Sequence, residues 1–135
     1  MSDKDVFTIH TDGAARGNPG PAAYAYVIER PGAADIEVKD CLGETTNNIA
    51  EYTALVRALE HARELGGKRL VIRSDSELLV KQMTGEYRVK NEALRELSLR
   101  AARLAREIGK VSYRAVRREH NELADRLVNE ALDGP

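Results

Sequence analysis

Four acidic residues stand at positions where chemistry is a natural explanation. Asp12 closes a run of β-branched and apolar residues, and Asp75 comes directly after the apolar stretch at 70–72. Carboxylates at the ends of neighbouring strands in an open α/β sheet project toward one edge, where such sheets usually carry their sites. Glu51 and Asp125 lie near the starts of two predicted helices. These four side chains are the first candidates for a functional site.

Each of these acids also has a local structural explanation. Asp12 belongs to an Asp-Gly dipeptide, which is common in turns, and Asp75 fits the N-cap of the following helix, as does the serine before it. Glu51 fits the third position of a capping box with Asn48 as the N-cap. Asp125 fits a first-turn acid that complements the helix dipole. No single position decides between the two interpretations.

Taken together, the four acids favour a metal site. If they meet at one edge, their mutual repulsion is costly unless divalent cations neutralise it. The chain has a single Cys and three His, so an all-oxygen cluster is expected, which selects hard ions such as Mg²⁺ or Mn²⁺. Two such ions ~3.5–4 Å apart would hold the attacking and leaving oxygens of a phosphodiester during its cleavage. The spacing alone does not show that the acids converge.

The acids must be positioned by the strands and helices that the sequence predicts. β-branched segments predict three strands at 6–11, 22–29 and 35–42, whose short links favour an antiparallel meander. The Gly- and Pro-rich segment at 14–21 predicts a loop and argues against a central strand. The remaining predicted elements are a helix at 49–65, a strand at 68–73, helices at 76–84 and 94–108, a strand at 111–116 and a helix at 121–132. The order βββαβααβα predicts a mixed α/β domain.

Length and composition set the outer limits of the interpretation. The 135 residues fit one domain over 1–135 with its core at about 5–132. The 21 basic and 22 acidic residues give a net charge of −1, which argues against a protein that coats nucleic acid by bulk charge. No run of apolar residues is long enough to span a membrane. A single cysteine, Cys41, forms no internal disulfide, which predicts a reducing compartment and hence a cytoplasmic protein.

Short motifs run in a fixed order along about residues 5–132. They are TDGA at 11–14, GNPGP at 17–21, TTNN at 45–48 leading to EY at 51–52, SDS at 74–76, VKN at 89–91 and NELAD at 121–125. In this order they resemble the ribonuclease HI family, which cuts RNA–DNA hybrids. The resemblance implies an RNase H-like α/β fold. In that fold a five-stranded mixed sheet, with three antiparallel strands and two parallel additions, carries helices on both faces.

The resemblance also implies what individual residues do. Asp12, Glu51, Asp75 and Asp125 would hold two Mg²⁺ or Mn²⁺ ions, with Asp12 bridging both ions and Asp125 serving the leaving group. The RNA strand of a hybrid would be hydrolysed to 5′-phosphate and 3′-hydroxyl ends. A monomer without an obligate protein partner or a membrane is expected. The residues that the resemblance places on the substrate are Gly13, Ala14, Asn18, Thr46, Asn47, Asn48 and Asn91. Arg118 is a further candidate for substrate binding, from a segment where the chain departs from the family.

Two segments depart from the family pattern. Many members insert a basic, tryptophan-containing helix and loop that grips the hybrid. Here residues 85–88 run straight into 89–91 and the chain has no Trp, as in a subgroup of shorter members. Many members also carry a histidine in a Gly-rich loop before the last helix. This chain has a tight segment there, in which His120, or alternatively Arg118, is the candidate replacement.

Two questions of function stay open at this point. Between residues 81 and 107, seven basic residues outnumber four acidic ones, and they form either a nucleic-acid patch or a solvated helix face. The alternative to an enzyme is a non-catalytic module of the same fold that binds hybrid or double-stranded nucleic acid. The four acids argue against that alternative, because a pure binder gains nothing from carboxylates that face phosphates.

Overall fold

The computed structural model describes residues 5–134. Along the chain they form β1 (Val6–Ala15), β2 (Gly20–Glu29), β3 (Ile36–Thr45), α1 (Asn47–Glu64), β4 (Arg69–Ser74), α2 (Glu77–Met83), α3 (Glu92–Ile108), β5 (Lys110–Ala115), a 3-10 turn (Arg118–His120) and α4 (Glu122–Asp133). This is the predicted order, with one added turn before α4. Residues 1–4 and 135, the ends of the predicted domain, lie outside the described residues. No helix within 5–134 is long and apolar enough to cross a membrane.

All five strands belong to one mixed sheet in the order β3-β2-β1-β4-β5. β2 pairs antiparallel with both β1 and β3. β4 pairs parallel with both β1 and β5. The predicted arrangement of three antiparallel strands and two parallel additions is therefore confirmed. The two parallel strands each arrive through helices, because a parallel pair needs a crossover connection.

Helices cover both faces of the sheet, and β2 shows how one strand serves two cores. Successive side chains of a strand point to opposite faces. One set joins the larger core shared with α1 and α3, namely Tyr24, Tyr26 and Ile28. The other set is smaller and packs against Leu127 and Val128 of α4, namely Ala23, Ala25 and Val27. Small side chains on this face let α4 lie close to the sheet.

The first strands are longer than the sequence indicated. The loop and strand break expected at 14–21 are wrong at both ends, because β1 continues through Asp12 to Ala15 and β2 already begins at Gly20. Pairing between the two strands explains the difference, since Asp12 lies directly opposite Ala25 in the antiparallel register. Strand pairing therefore overrides the local preference of Asp-Gly for a turn.

Candidate active site

The parallel register of β1 and β4 places two of the acids side by side. Thr11 of β1 lies opposite Ser74 of β4. Each of these two residues is followed by an aspartate, Asp12 or Asp75. Asp12 is only 6% exposed, and the side chain of Asp75 is 12% exposed. Both carboxylates therefore lie, largely buried, at the edge formed by the carboxyl ends of the parallel strands, where α/β sheets carry their sites.

A third acid reaches this edge because α1 lies directly against β1. A Cβ atom added to Gly13 would stand 2.3 Å from the carbonyl carbon of Ala50 and 2.5 Å from the backbone nitrogen of Glu51. Real Cβ atoms do not approach backbone atoms this closely, so only a glycine permits the contact. On the helix side the contact residue, Ala50, is fully buried and small. The contact brings Glu51 to the edge that carries the two aspartates.

The three carboxylates form a compact set of oxygen ligands. Asp12, Glu51 and Asp75 each offer one oxygen, and these oxygens all lie within 4.8 Å of one another. The surroundings of Asp12 also indicate a cation site, because its Oδ2 is buried and has no hydrogen-bond partner in residues 5–134. A divalent cation would satisfy that oxygen and offset the repulsion between the carboxylates, so the residues fit a hard metal ion.

Burial and crowding raise the pKa values of these acids. Burial raises the pKa of Asp12 to about 8, and the charges of the neighbouring acids act in the same direction. Burial likewise raises the pKa of Glu51 to about 7, with a smaller upward effect from Asp75. The pKa of Asp75 is also raised, mainly by burial. Without a cation Asp12 is therefore mostly protonated and Glu51 partly protonated near neutral pH, and a bound cation would favour the ionised forms.

These shifts predict how the stability of the metal-free protein depends on pH. Asp12 and Glu51 have folded-state pKa values of about 8 and about 7, above the ordinary 3.8 and 4.5. Their stabilising contribution is complete below the ordinary values and is lost as the pH rises through the folded values. In EDTA we expect the melting temperature to fall by about 5 °C or more between about pH 5 and about pH 9. Calorimetry should show Mg²⁺ reversing the fall and Asp12→Asn flattening it, whereas a rise over this window would contradict the assignment.

Asp125 approaches the cluster from the other face of the sheet. It lies in the first turn of α4, and its charge contributes to the raised pKa values of Asp12 and Asp75. It is not one of the three acids whose oxygens lie within 4.8 Å of one another. The fold thus brings the four acids named from the sequence to one region. A role for Asp125 as a metal ligand stays a prediction.

Other residues perform the local roles that the acids were also suited to. Thr46 is the N-cap of α1, and its hydroxyl accepts a hydrogen bond of 3.2 Å from the backbone N–H three residues on. The expectation that Asn48 caps this helix is therefore wrong, because the helix begins earlier and Asn48 lies in its first turn. Ser76 caps α2 instead of Asp75. Asp12 lies inside β1 and forms no turn.

Several residues expected to bind substrate already form hydrogen bonds that hold the fold together. Asn47 accepts a hydrogen bond of 2.6 Å from the backbone of Ala15, and its own N–H donates to Oδ1 of Asn18 at 3.1 Å. Asn91 caps α3 by accepting a hydrogen bond of 3.1 Å. Their contacts with a substrate stay predictions. The other candidates lie on β1 and at the start of α1, namely Gly13, Ala14, Thr46 and Asn48.

Of the two candidates in the 3-10 turn, only Arg118 is seen against the carboxylates. Its Nε lies 4.0 Å from Oδ2 of Asp75, and its side chain is 84% exposed. Its positive charge opposes the rise that burial causes in the pKa values of Asp75 and Glu51. His120 instead lies 4.0 Å from Glu119. A catalytic role for His120 therefore stays a prediction, with no contact in the described chain that joins it to the acids.

Two residues that were not singled out from the sequence contact the acids. Ser76 caps α2 and also forms a hydrogen bond to Glu51 that lowers the pKa of this acid against the larger effect of burial. Asn121 is 2% exposed, and its Nδ2 donates to the backbone oxygen of Thr11 at 3.0 Å. The available signal was position, because Ser76 follows Asp75 and Asn121 stands one helical turn before Asp125.

Comparison with known proteins adds relatives along nearly the whole chain. A family model described as reverse transcriptase-like matches residues 10–131. The Ribonuclease HI of Halobacterium salinarum is 45% identical over 123 residues, which cover 90% of this chain and 62% of that protein. The Bifunctional protein Rv2228c of Mycobacterium tuberculosis is 40% identical over 127 residues, which cover 93% of this chain and 35% of that protein. The chain therefore spans only part of the length of these relatives.

Solved structures match over almost their full length. The crystal structure of RNase H1 from Halobacterium salinarum gives a TM-score of 0.90 at 41% identity and covers 96% of this chain and 99% of that chain. The crystal structure of LC11-RNase H1 in complex with an RNA/DNA hybrid gives a TM-score of 0.87 at 44% identity, covering 94% and 96% of the two chains. With the ordered motifs and the shared sheet, these matches show that the chain belongs to the ribonuclease H1 family.

Proposed function

We propose that this chain is an endonuclease that hydrolyses the RNA strand of RNA–DNA hybrids, leaving 5′-phosphate and 3′-hydroxyl ends. The observation that carries the proposal is the meeting of Asp12, Glu51 and Asp75, whose oxygens lie within 4.8 Å of one another although they come from three separate elements. Support comes from LC11-RNase H1, a relative of 44% identity whose crystal structure holds an RNA/DNA hybrid.

The proposed cofactor is Mg²⁺ or Mn²⁺, with two ions per site when substrate is bound. Asp12, Glu51, Asp75 and Asp125 are the residues that would hold them. Bound divalent ions supply Lewis-acid activation of water and neutralise charge on the phosphate. The chain contributes hard oxygen ligands on rigid elements, and the unpartnered Oδ2 of Asp12 supports a cation at its centre.

Arg118 is the residue of this site best placed to meet the substrate from outside. Its guanidinium is exposed and lies at the edge of the cluster, 4.0 Å from Asp75. An arginine at such a position can form charge-assisted hydrogen bonds to a phosphate oxygen. We infer that Arg118 orients the scissile phosphate over the carboxylates. The choice of RNA over DNA is expected to depend on contacts to the 2′-hydroxyl.

A groove beside α3 supports nucleic acid as the substrate. Its basic lining residues are Arg88, Lys90 and Arg95, its volume is about 580 Å³, and we call it the basic groove. Tyr87 and Leu99 also line it, and these two residues are 50% and 54% exposed. Basic side chains arranged along the path of a phosphate backbone, together with an exposed aromatic ring, are typical of protein surfaces that bind nucleic acid.

The ion pairs of the chain leave the cations of this groove available. Lys81 pairs with Glu77 at 3.0 Å, and Arg100 pairs with Glu60 at 2.5 Å. The three basic residues of the groove form no ion pair with any other residue in 5–134. Their charges are therefore available to phosphates. The clustering of three such cations in one groove supports the nucleic-acid interpretation for this part of the segment. Arg103 and Arg106 also form no ion pair within 5–134, but they do not line the groove.

Neutralising the basic groove is expected to weaken binding without slowing the chemical step. In the triple variant R88Q/K90Q/R95Q we expect KM for a hybrid to rise about tenfold at moderate salt, with kcat nearly unchanged. The slope of log affinity against log salt should fall by about one for each phosphate that the variant no longer binds. The matched control is R57Q/R63Q/R126Q, which removes equal charge from exposed cations that already have acidic partners. Equal effects in both variants would contradict a specific role for the groove.

The test of the proposed function is a cleavage assay with matched substrates. A labelled hybrid, duplex DNA, duplex RNA and both single strands are compared in Mg²⁺, in Mn²⁺ and in EDTA. We expect cleavage of the RNA strand of the hybrid alone, only with a divalent ion, and products that migrate with 5′-phosphate markers. Hybrid binding without cleavage would instead favour the non-catalytic module. The absence of both binding and cleavage would overturn the proposal.

We also propose that the chain acts as a monomer in a reducing, cytoplasmic compartment. The support for the compartment is the single cysteine, Cys41, which is exposed as a free thiol. An exposed thiol is best preserved under reducing conditions. Light scattering of the purified chain tests the monomer, and fractionation of the source cells tests the compartment.

A further inference from the structure

The start of α4 differs from the starts of the other helices. At α1, α2 and α3 the N-cap side chain accepts a hydrogen bond from the backbone of the first turn. Asn121, the N-cap of α4, makes no such bond, although asparagine is among the best capping residues. Its side chain is instead buried, with 2% exposure for the residue. A strong capping residue has therefore been diverted to another contact.

That contact lies between the two strands that carry the aspartates. Nδ2 of Asn121 donates to the backbone oxygen of Thr11 at 3.0 Å, and Thr11 pairs with Ser74 across the parallel register. A side-chain hydrogen bond from Asn121 also acts on the carboxylate of Asp75. The amide group has two N–H donors, which is enough for both acceptors.

The remaining oxygen of the carboxamide fits this arrangement. Oδ1 of Asn121 is buried and has no hydrogen-bond partner within the described chain. Rotating the amide by half a turn would pair Oδ1 with two oxygen acceptors, which is repulsive. The observed orientation therefore leaves Oδ1 without a partner while its N–H groups donate. A buried polar atom without a partner is destabilising and calls for an explanation, and here the explanation is the role of the donors.

The backbone of Asn121 makes a third connection. Its carbonyl oxygen accepts a hydrogen bond of 3.1 Å from the N–H of Asp125 in the first turn of α4. One residue therefore contacts the strand of Asp12 just before that acid, the carboxylate of Asp75, and the turn that carries Asp125. No other residue within 5–134 is seen with hydrogen bonds to all three of these segments.

We propose that Asn121 is a positioning residue of the metal site, whose buried carboxamide holds the carboxylate of Asp75 in register with Asp12. This inference rests on the proposed function, in which the carboxylates bind divalent metal ions. It assigns Asn121 no contact with substrate. Residues that orient metal ligands commonly change metal affinity or activity 10- to 100-fold when they are replaced.

The test uses Asn121→Ser, because serine still caps a helix well but is too short to reach both Thr11 and Asp75. If Asn121 served only to start α4, this variant would behave like the unaltered chain. We expect instead a Mn²⁺ affinity about tenfold weaker by calorimetry without nucleic acid. On a hybrid, kcat should fall about tenfold or more, while KM stays within about twofold. Unaltered Mn²⁺ affinity and kcat in the folded variant would overturn the proposal.

The matched control is Asn129→Ser on the same helix. Asn129 is exposed, and its Nδ2 donates to the backbone oxygen of Asp125 at 3.0 Å. The substitution is chemically identical and removes a hydrogen bond near the same acid, but it does not touch the buried carboxamide. We expect unaltered Mn²⁺ affinity and kcat. A loss equal to that of Asn121→Ser would assign the effect to α4 as a whole and overturn the proposal.

A measurement on the unaltered chain decides the matter if Asn121→Ser fails to fold. In ¹⁵N spectra, the side-chain amide protons of Asn121 should exchange slowly with solvent and shift as Mg²⁺ is added. An amide signal that does not respond to Mg²⁺ would overturn the proposal. Failure of the proposed function would look different, because a chain that binds Mn²⁺ through this network but cuts no hybrid would retain the role of Asn121.

Discussion

Replacing Asp12 with asparagine is expected to reduce cleavage of a hybrid by at least about a thousandfold. Asp12 lies at the centre of the cluster, since Asp75, Asp125 and Glu51 all act on its pKa after the larger effect of burial. Asparagine keeps the shape of the side chain but removes the charge that would bind and neutralise a divalent ion. A cleavage assay at saturating Mg²⁺ measures the loss. Binding of the hybrid should change little, because the basic groove is unaffected.

The control for this variant is an exposed aspartate outside the cluster. Asp133 is 64% exposed and pairs with Arg16, so Asp133→Asn removes the same charge without touching the site. It should cleave at the unaltered rate. Cleavage by Asp12→Asn at a rate similar to that of Asp133→Asn would remove the metal-site assignment. Circular dichroism of both variants confirms that each is folded before the rates are compared.

Gly13→Ala is expected to have the second large effect, this time on the free energy of unfolding. The added methyl group would stand 2.3 Å from the carbonyl carbon of Ala50, so β1 and α1 must separate. Overpacking of this kind typically costs about 1–3 kcal/mol, and backbone neighbours that cannot yield place the cost at the upper end, about 3 kcal/mol. Urea unfolding measures the change. Cleavage should also fall, because Glu51 moves away from Asp12.

A second glycine separates lack of space from the general effect of losing a glycine. Gly43 has a positive φ of 72° and no atom within 4 Å of an added Cβ. Gly43→Ala should therefore cost only the backbone strain of a left-handed residue, about 1–2 kcal/mol, with cleavage unchanged. If both variants lost the same stability and both retained full activity, close approach of α1 to β1 would not be what Gly13 provides.

The sequence was most informative where an acid follows an apolar strand. Asp75 follows residues 70–72 at the end of its strand, as predicted. Asp12 lies inside β1 and not at its end, but the parallel pairing with β4 ends just before it, which places the two acids together. The order of elements and the mixed sheet were also predicted, because the change from period two to a spacing of three and four is a property of burial. Spacing alone did not show that the four acids meet at one site; the resemblance to the family implied it.

The features that escaped prediction depend on contacts between distant segments. The turn preference of Asp12 and Gly13 is overruled by β2, which lies on the other side of the loop. Thr46 rather than Asn48 begins α1, and both residue types are acceptable N-caps, so the local sequence does not choose. Asn121 is the sharpest case, because asparagine at a helix start predicts an exposed cap and the side chain is instead buried beneath the strands.

The order of the acids along the chain has a consequence for the newly made protein. β1, α1 and β4 are synthesised well before α4, which brings both Asn121 and Asp125 and packs on the small side chains of β2. A growing chain therefore contains three of the carboxylates before the fourth is made. Domains fold as units once their last elements emerge. Competence for cleavage is thus expected only after α4 has docked.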